Sequence, residues 1–309
     1  MMQLPPYLSP GDRVGITAPA RWVDKGDMDF FVSALEGEGW KVELGSVYSR
    51  YNQFSGENTA RLEDLQAMLD DPGIRAVFCA RGGYGSARLL DGIDFRGIAT
   101  HPKWIVGFSD ITALHSAILM KIGVAVLHGA MPYTLRDGED DEGLASLLAV
   151  LKGELPSYEI PRDKNQNGGL NRTGRGKGIL LGGNLSVLYS LTGTPYQIPT
   201  KGGILFLEDL DEYLYHIDRM MLNLRLTGML EGLEGLIIGG MTEMNDNEVP
   251  FGKTAYEIIR EAVEPYDFPV CFGFPAGHQV PNLPLVMGRE VHLEVNESGS
   301  IMEYIISKK

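Results

Sequence analysis

Residues 103–115 read Lys103-Trp-Ile-Val-Gly-Phe-Ser-Asp-Ile-Thr-Ala-Leu-His115. Trp104 to Val106 is a short apolar run, Gly107 permits a sharp turn, and helical spacing begins near Ser109. A strand, a turn on a small residue and a helix, in that order, outline a nucleophile elbow, with a serine hydroxyl held at the start of the helix. Backbone N–H groups left unpaired there can stabilise a developing oxyanion. The same residues also describe an ordinary helix start capped by Ser109 or Asp110. Asp110-Ile111 stands where the second glycine of the hydrolase pattern would come.

Outward from this stretch, strand-like and helix-like segments alternate. Arg13 to Thr17, Trp40 to Leu44, Ala76 to Ala80 and Val124 to Leu127 read as strands. Asp27 to Leu35, Asn58 to Leu69 (with Leu62, Leu65 and Leu69 on one face), the segment through Leu90 and the segment ending at Lys121 read as helices. This alternation predicts a parallel sheet with helices on both faces. Sites in such sheets form beyond the carboxyl ends of the strands. Ser109 and the Gly82–Gly85 loop both follow strands, so they are expected on one edge. Residues 136–175 change character, with the acidic run Asp137-Gly-Glu-Asp-Asp-Glu142, a short helix at 144–151 and a polar, Gly-rich stretch from Arg162 to Gly176. That composition predicts a linker between a domain at 1–135 and a second, α+β domain at 176–309.

The chain of 309 residues carries 27 basic and 41 acidic side chains, a net charge of −14. A general nucleic-acid binder needs a basic footprint, so that class is excluded. There is no apolar stretch of membrane-spanning length, and the N-terminal residues lack the basic and apolar regions of a signal peptide. Cys79 and Cys271 lie in apolar strand-like runs and read as buried thiols. A cytoplasmic protein is expected, without membrane association.

Three groups carry chemistry besides Ser109. Gly83-Tyr-Gly85-Ser-Ala-Arg88 is a partial dinucleotide fingerprint, but Arg88 occupies the place of the third glycine. Its glycines equally suit a tight turn, or a close approach of N–H groups to a carbonyl. His278 lies in the Gly/Pro-constrained loop Gly273-Phe-Pro-Ala-Gly-His-Gln-Val-Pro281 after an apolar strand, where a base or a structural histidine would both fit. Glu208 ends the apolar run Gly203-Ile-Leu-Phe-Leu207 and precedes Asp209. A carboxylate so placed can orient a histidine or simply end a strand. The other histidines read as packing or surface residues. His-Glu-x-x-His and Cys-x-x-Cys patterns are absent, so neither metal nor cofactor is expected.

Together the segments Ala80-Arg-Gly-Gly-Tyr-Gly85, Val106-Gly-Phe-Ser-Asp-Ile-Thr112, Leu127-His-Gly129, Leu181-Gly-Gly-Asn-Leu185, Leu207-Glu-Asp209, Tyr215-His-Ile-Asp-Arg219 and Phe274-Pro-Ala-Gly-His278 resemble the LD-carboxypeptidase family. These are serine peptidases that include the microcin-immunity hydrolases. The resemblance implies a flavodoxin-like parallel-sheet N-terminal domain, a smaller β-rich α+β C-terminal domain and homodimers. It implies Ser109 as nucleophile, His278 as base and Glu208 as the group orienting it. Its typical substrate is a murein tetrapeptide, cut before the terminal D-Ala in cell-wall recycling. The backbone N–H groups of Gly83 and Asp110 are then expected as the oxyanion hole, with Arg81, Tyr84 and Asn184 near the substrate. Arg81 would suit a peptide carboxylate. Two other readings stay open. One is an immunity-type amidase acting on aminoacyl-nucleotides, with Tyr213 and Tyr215 as a platform for adenine. The other is a non-catalytic nucleotide-binding protein built on Gly82–Gly85.

Overall fold

The computed structural model describes residues 2–46 and 48–305. The chain divides into two compact units. One comprises residues 1–154 and 280–286, the other residues 155–279 and 287–309.

The first unit is built on strands β1 (Arg13–Thr17), β2 (Lys41–Leu44), β3 (Ile74–Cys79), β4 (Trp104–Gly107) and β5 (Val126–His128). They run parallel in the order 2-1-3-4-5. That is the doubly wound order of flavodoxin-like sheets. All four residues of β4 are buried, as expected for a strand covered on both faces. Leu285–Met287 joins the edge beside β5, a strand supplied from the far end of the chain. The helices are α1 (Asp29–Gly37), α2 (Asn58–Asp70), α3 (Arg96–Thr100), α4 (Thr112–Ile122) and α5 (Asp141–Lys152).

Two helical expectations are modified. The segment after Gly85 is a 3-10 turn, Ser86–Gly92, held by bonds from Arg88 N–H to the Gly85 carbonyl and from Ile93 N–H to the Leu90 carbonyl. The buried face of α2 also carries charge, because Arg61 and Asp64 are inside with Leu65, Met68 and Leu69, while Leu62 is half-buried. Asp64 accepts from the Thr17 hydroxyl at 2.6 Å and the Ser46 hydroxyl at 2.9 Å. Arg61 donates to the carbonyls of Pro19 and Gly85. Buried charges are tolerated when bonded in this way.

The second unit contains β6 (Ser157–Pro161), β7 (Gly174–Asn184), β8 (Gly203–Leu210), β9 (Gly235–Thr242) and β10 (Val270–Phe272). With Leu285–Met287 counted as β11, β12 (Glu290–Asn296) and β13 (Gly299–Tyr304) complete it. Seven strands lie in the order 10-9-8-7-12-13-6. From β10 to β7 the pairing is parallel, and from β7 to β6 it is antiparallel. Burial along β12 alternates, the pattern of a sheet with one solvated face. The helices are α6 (Leu185–Ser190), α7 (Leu214–Leu226) and α8 (Ala255–Ala262).

The stretch 136–175, expected as a linker, carries α5 and β6. Its polar residues bond to the edge strand β10 and the residues before it. Asn165 Nδ2 donates to the Phe272 carbonyl at 2.5 Å, Phe272 N–H donates to Asn171 Oδ1 at 2.8 Å, and Arg172 Nε donates to the Phe268 carbonyl at 2.7 Å. Side chains that cover an edge strand have the composition of a loop, and they leave less of that edge open to pairing with another chain.

Candidate active site

In the first unit, β3 and β4 are adjacent and parallel, so the loops after them leave the same sheet edge. After β4, Phe108 is extended and Ser109 adopts φ +62° before the chain enters α4 through a 3-10 turn. Left-handed backbone costs an L-residue roughly 1–2 kcal/mol, and such strain gathers at functional positions. A strand-to-helix turn of this kind can expose a nucleophile.

The Gly82–Gly85 loop lies against Ser109. A Cβ on Gly82 would stand 3.0 Å from Ser109 Cβ and 3.3 Å from its Oγ. Gly82 therefore allows the backbone to pass the hydroxyl closely, a part that sequence reasoning did not assign to it. Gly83 (φ +97°) packs on the stem of Arg21 instead. Asp110, expected only for its N–H, has a buried carboxylate that ties this loop down. Ser86 N–H donates to Asp110 Oδ2 at 2.8 Å, and the Ser86 hydroxyl donates to the Asp110 carbonyl at 2.6 Å. Burial raises the Asp110 pKa, against the bonds from Ser86 and Gly85 and the charge of Arg61.

The partial dinucleotide fingerprint has a local explanation. A Cβ on Gly85 would fall 2.7 Å from Arg61 Nη1, so that glycine makes room for a buried guanidinium. Arg81 Nη1 donates to the Trp22 carbonyl at 2.9 Å, and its guanidinium lies 3.7 Å from the centre of the Tyr133 ring. Tyr84 is exposed and its ring tilts against Phe54 at 6.0 Å.

In the second unit, Glu208 and Asp209 are consecutive and both buried. Seven of the eight residues of β8 are buried, so the strand is covered on both faces and consecutive carboxylates can both be enclosed. The β8–β9 register also shifts between Leu207 and Asp209. Glu208 Oε2 lies 2.6 Å from His278 Nδ1 and accepts the His278 backbone N–H at 3.2 Å. The two bonds hold the imidazole by its Nδ1 side. With the Nδ1 proton donated to Glu208, Nε2 carries the lone pair of a base.

The loop that carries His278 is fixed on several sides. Phe274 is buried beside Tyr158 and Phe206, with ring centres at 5.4 and 6.4 Å. Thr242 Oγ1 donates to the His278 carbonyl at 2.9 Å, and Gly240 N–H donates to the Ala276 carbonyl at 3.0 Å. Gly277, at φ +99°, has no room for a side chain, since a Cβ would meet Glu208 atoms at 2.7 Å. Burial disfavours the imidazolium, but the charge and hydrogen bond of Glu208, with Asp209 and Glu243 behind it, leave the His278 pKa raised.

Asn184 braces Asp209, the carboxylate next to Glu208. Its Nδ2 donates to Asp209 Oδ1 at 2.9 Å, and its Oδ1 accepts from Val187 N–H at 3.2 Å at the start of α6. Asp209 also accepts from Ser186 N–H at 2.8 Å, and its pKa is pushed up to about 7, first by burial and then by Glu208. A second histidine–carboxylate pair went unread in the sequence: His216 Nδ1 is 2.6 Å from Glu212 Oε2. Glu212 precedes α7, so helix spacing alone does not reveal the pair. Tyr213 and Tyr215 are exposed, with ring centres 5.6 Å apart. Among the described residues, no group of three or more His, Cys, Asp or Glu side chains is arranged to hold a metal ion.

The LD-carboxypeptidase N-terminal domain pattern matches residues 14–129, and the LD-carboxypeptidase C-terminal domain pattern matches residues 177–293. A probable murein peptide carboxypeptidase of Bacillus subtilis is 33% identical over 98% of this chain and 95% of its own. The crystal structure of muramoyltetrapeptide carboxypeptidase from Oxalobacter formigenes superposes with a TM-score of 0.85 at 27% identity, covering 96% of this chain and 100% of that one. The microcin C7 self immunity protein MccF shares the fold, with a TM-score of 0.85 at 23% identity over 100% of this chain and 99% of that one.

Proposed function

Because this chain belongs to the LD-carboxypeptidase family, we propose that it is a serine carboxypeptidase that releases the terminal D-alanine of murein tetrapeptides. The observation that carries this reading is Ser109, held in left-handed backbone at a strand-to-helix turn with a glycine against its hydroxyl. A helix cap does not require that conformation, because cap residues are ordinarily extended.

In the proposed reaction, Ser109 Oγ attacks the carbonyl of the bond between the third residue and D-alanine. His278 Nε2 takes the serine proton as the C–O bond forms. The backbone N–H groups of Gly83 and Asp110 bind the oxyanion. Losing one such donor costs about 10²–10³ in rate. His278 then returns the proton to the departing amine as the C–N bond breaks. Water, deprotonated by the same histidine, resolves the acyl-enzyme and frees Ser109. Glu208 stays ionised throughout and stabilises the imidazolium.

The wider biology follows from the family alone. The protein would act in the cytoplasm, on peptides returned from the cell wall, as a homodimer. Sedimentation and cell fractionation test those two points. Turnover of a murein tetrapeptide beside an aminoacyl-nucleotide, followed by mass spectrometry, tests the reaction. The reading expects loss of D-alanine from the tetrapeptide. Cleavage of the aminoacyl-nucleotide alone would assign the protein to the immunity-type amidases.

A further inference from the structure

Three arginines from separate parts of the first unit meet beside the Gly82–Gly85 loop. Arg21 follows β1, Arg81 follows β3, and Arg136 follows β5. The guanidinium carbons of Arg81 and Arg136 lie 3.7 and 4.2 Å from the centre of the Tyr133 ring. The stem of Arg21 packs on Gly83, with its Cδ 2.8 Å from the place a Cβ would take. Arg21 N–H donates to the carbonyl of Gly82, the residue that touches Ser109.

This grouping is unusual for a chain of net charge −14. Among the described residues, Arg136 pairs with Asp137 at 3.2 Å, and neither Arg21 nor Arg81 forms an ion pair. Burial lowers the Arg81 pKa, and the charges of Arg21 and Arg136 lower it further, against Tyr133 and Asp27. A bound anion would relieve that repulsion. Arg81 is also held in place by its bond to the Trp22 carbonyl. A fixed guanidinium fork suits a carboxylate better than a mobile ammonium does.

We propose that Arg21 and Arg136 join Arg81 in a subsite for the free carboxylate of the leaving amino acid, and so confine cleavage to the end of a peptide. This rests on the carboxypeptidase reading above. It extends the part expected of Arg81 to two residues that sequence reasoning passed over.

The test compares a murein tetrapeptide with its C-terminal carboxamide as substrates for the parent protein, Arg21→Gln and Arg136→Gln. Both side chains are exposed, so neither substitution should impair folding. Arg81→Gln, at a half-buried position, is a third variant. For the free acid, kcat/KM should fall about ten- to a hundredfold in each variant, the range expected for a hydrogen bond to a charged group. For the amide it should barely change, so the preference for the acid collapses. An unchanged acid-to-amide ratio in Arg21→Gln and Arg136→Gln, with the parent active, would overturn the subsite alone. No release of D-alanine by the parent would overturn the proposed activity and this subsite with it.

Discussion

His278 Nδ1 lies 2.6 Å from Glu208 Oε2, and the same oxygen accepts the His278 backbone N–H. One carboxylate oxygen thus fixes both the ring and the backbone of the proposed base. Gly277, which has no side chain, leaves the space that Glu208 occupies.

In the proposed reaction this pair would set the pH dependence. Burial alone would lower the His278 pKa, but Glu208 reverses the shift, and the group ends above the ordinary value of about 6.5. The base works unprotonated, so kcat/KM should fall as pH drops through that raised value. Glu208→Gln removes the charge and leaves burial to act. Its acidic limb should move to lower pH, and its rate should fall about 10⁴-fold, as when a triad carboxylate is replaced by its amide. Profiles of kcat/KM against pH check both points. A limb that stays in place in Glu208→Gln contradicts the assignment.

Ser109 gives a prediction in which stability and activity separate. At φ +62° glycine is relaxed and alanine is strained. Ser109→Gly should therefore be more stable than Ser109→Ala by about 1 kcal/mol, while neither variant turns over substrate. Urea denaturation of the two variants measures the difference.

Gly82 is expected to be needed for rate and not for folding. Gly82→Ala places a methyl group 3.0 Å from Ser109 Cβ and 3.3 Å from Met131 Cε. The serine must shift, and small misplacements of reacting groups cost about 10²-fold. The expected result is a large fall in kcat with a nearly unchanged Tm. Full activity would show that Ser109 does not need this close approach.

His115 links folding stability to pH. It is buried on α4, with Nε2 3.1 Å from the Ile105 carbonyl, and its pKa is pushed down to about 3, by burial first and then by His128. The unfolded chain takes up the proton near pH 6.5 and the folded protein does not. The stabilising contribution is therefore complete above 6.5 and is lost as pH falls from 6.5 toward 3. Within that window the slope is about 1.4 kcal/mol per pH unit. His115→Asn should show a shallower loss of stability between pH 6.5 and 4 in urea titrations, whatever its stability at neutral pH.

The parallel sheet was legible because Ala76–Ala80 and Trp104–Val106 are short apolar runs closed by glycines, and such local patterns survive in any context. Ser109, Glu208 and His278 stand out in the sequence only as residues at strand ends or in a constrained loop, and their triad role is a proposal. What made them specific was not findable that way. The pairing of Glu208 joins it to His278, 70 residues on, and the bracing role of Asn184 depends on Asp209, a residue distant in sequence. The helical pattern of Asn58–Leu69 does not mark Arg61 and Asp64 as buried, because their partners, Pro19 and Thr17, lie outside the helix. Asn165, Asn171 and Arg172 looked like linker because side chains that bond to a strand edge are polar. The arginine cluster joins three loops, and only the strand order brings them together.

The central claim is that Ser109 is the nucleophile of a reaction that releases D-alanine from a murein tetrapeptide. The most direct test incubates parent and Ser109→Ala proteins with that peptide and follows free D-alanine by mass spectrometry. The account predicts release by the parent and none by Ser109→Ala, with both proteins equally folded. Release at the parent rate by Ser109→Ala would contradict it.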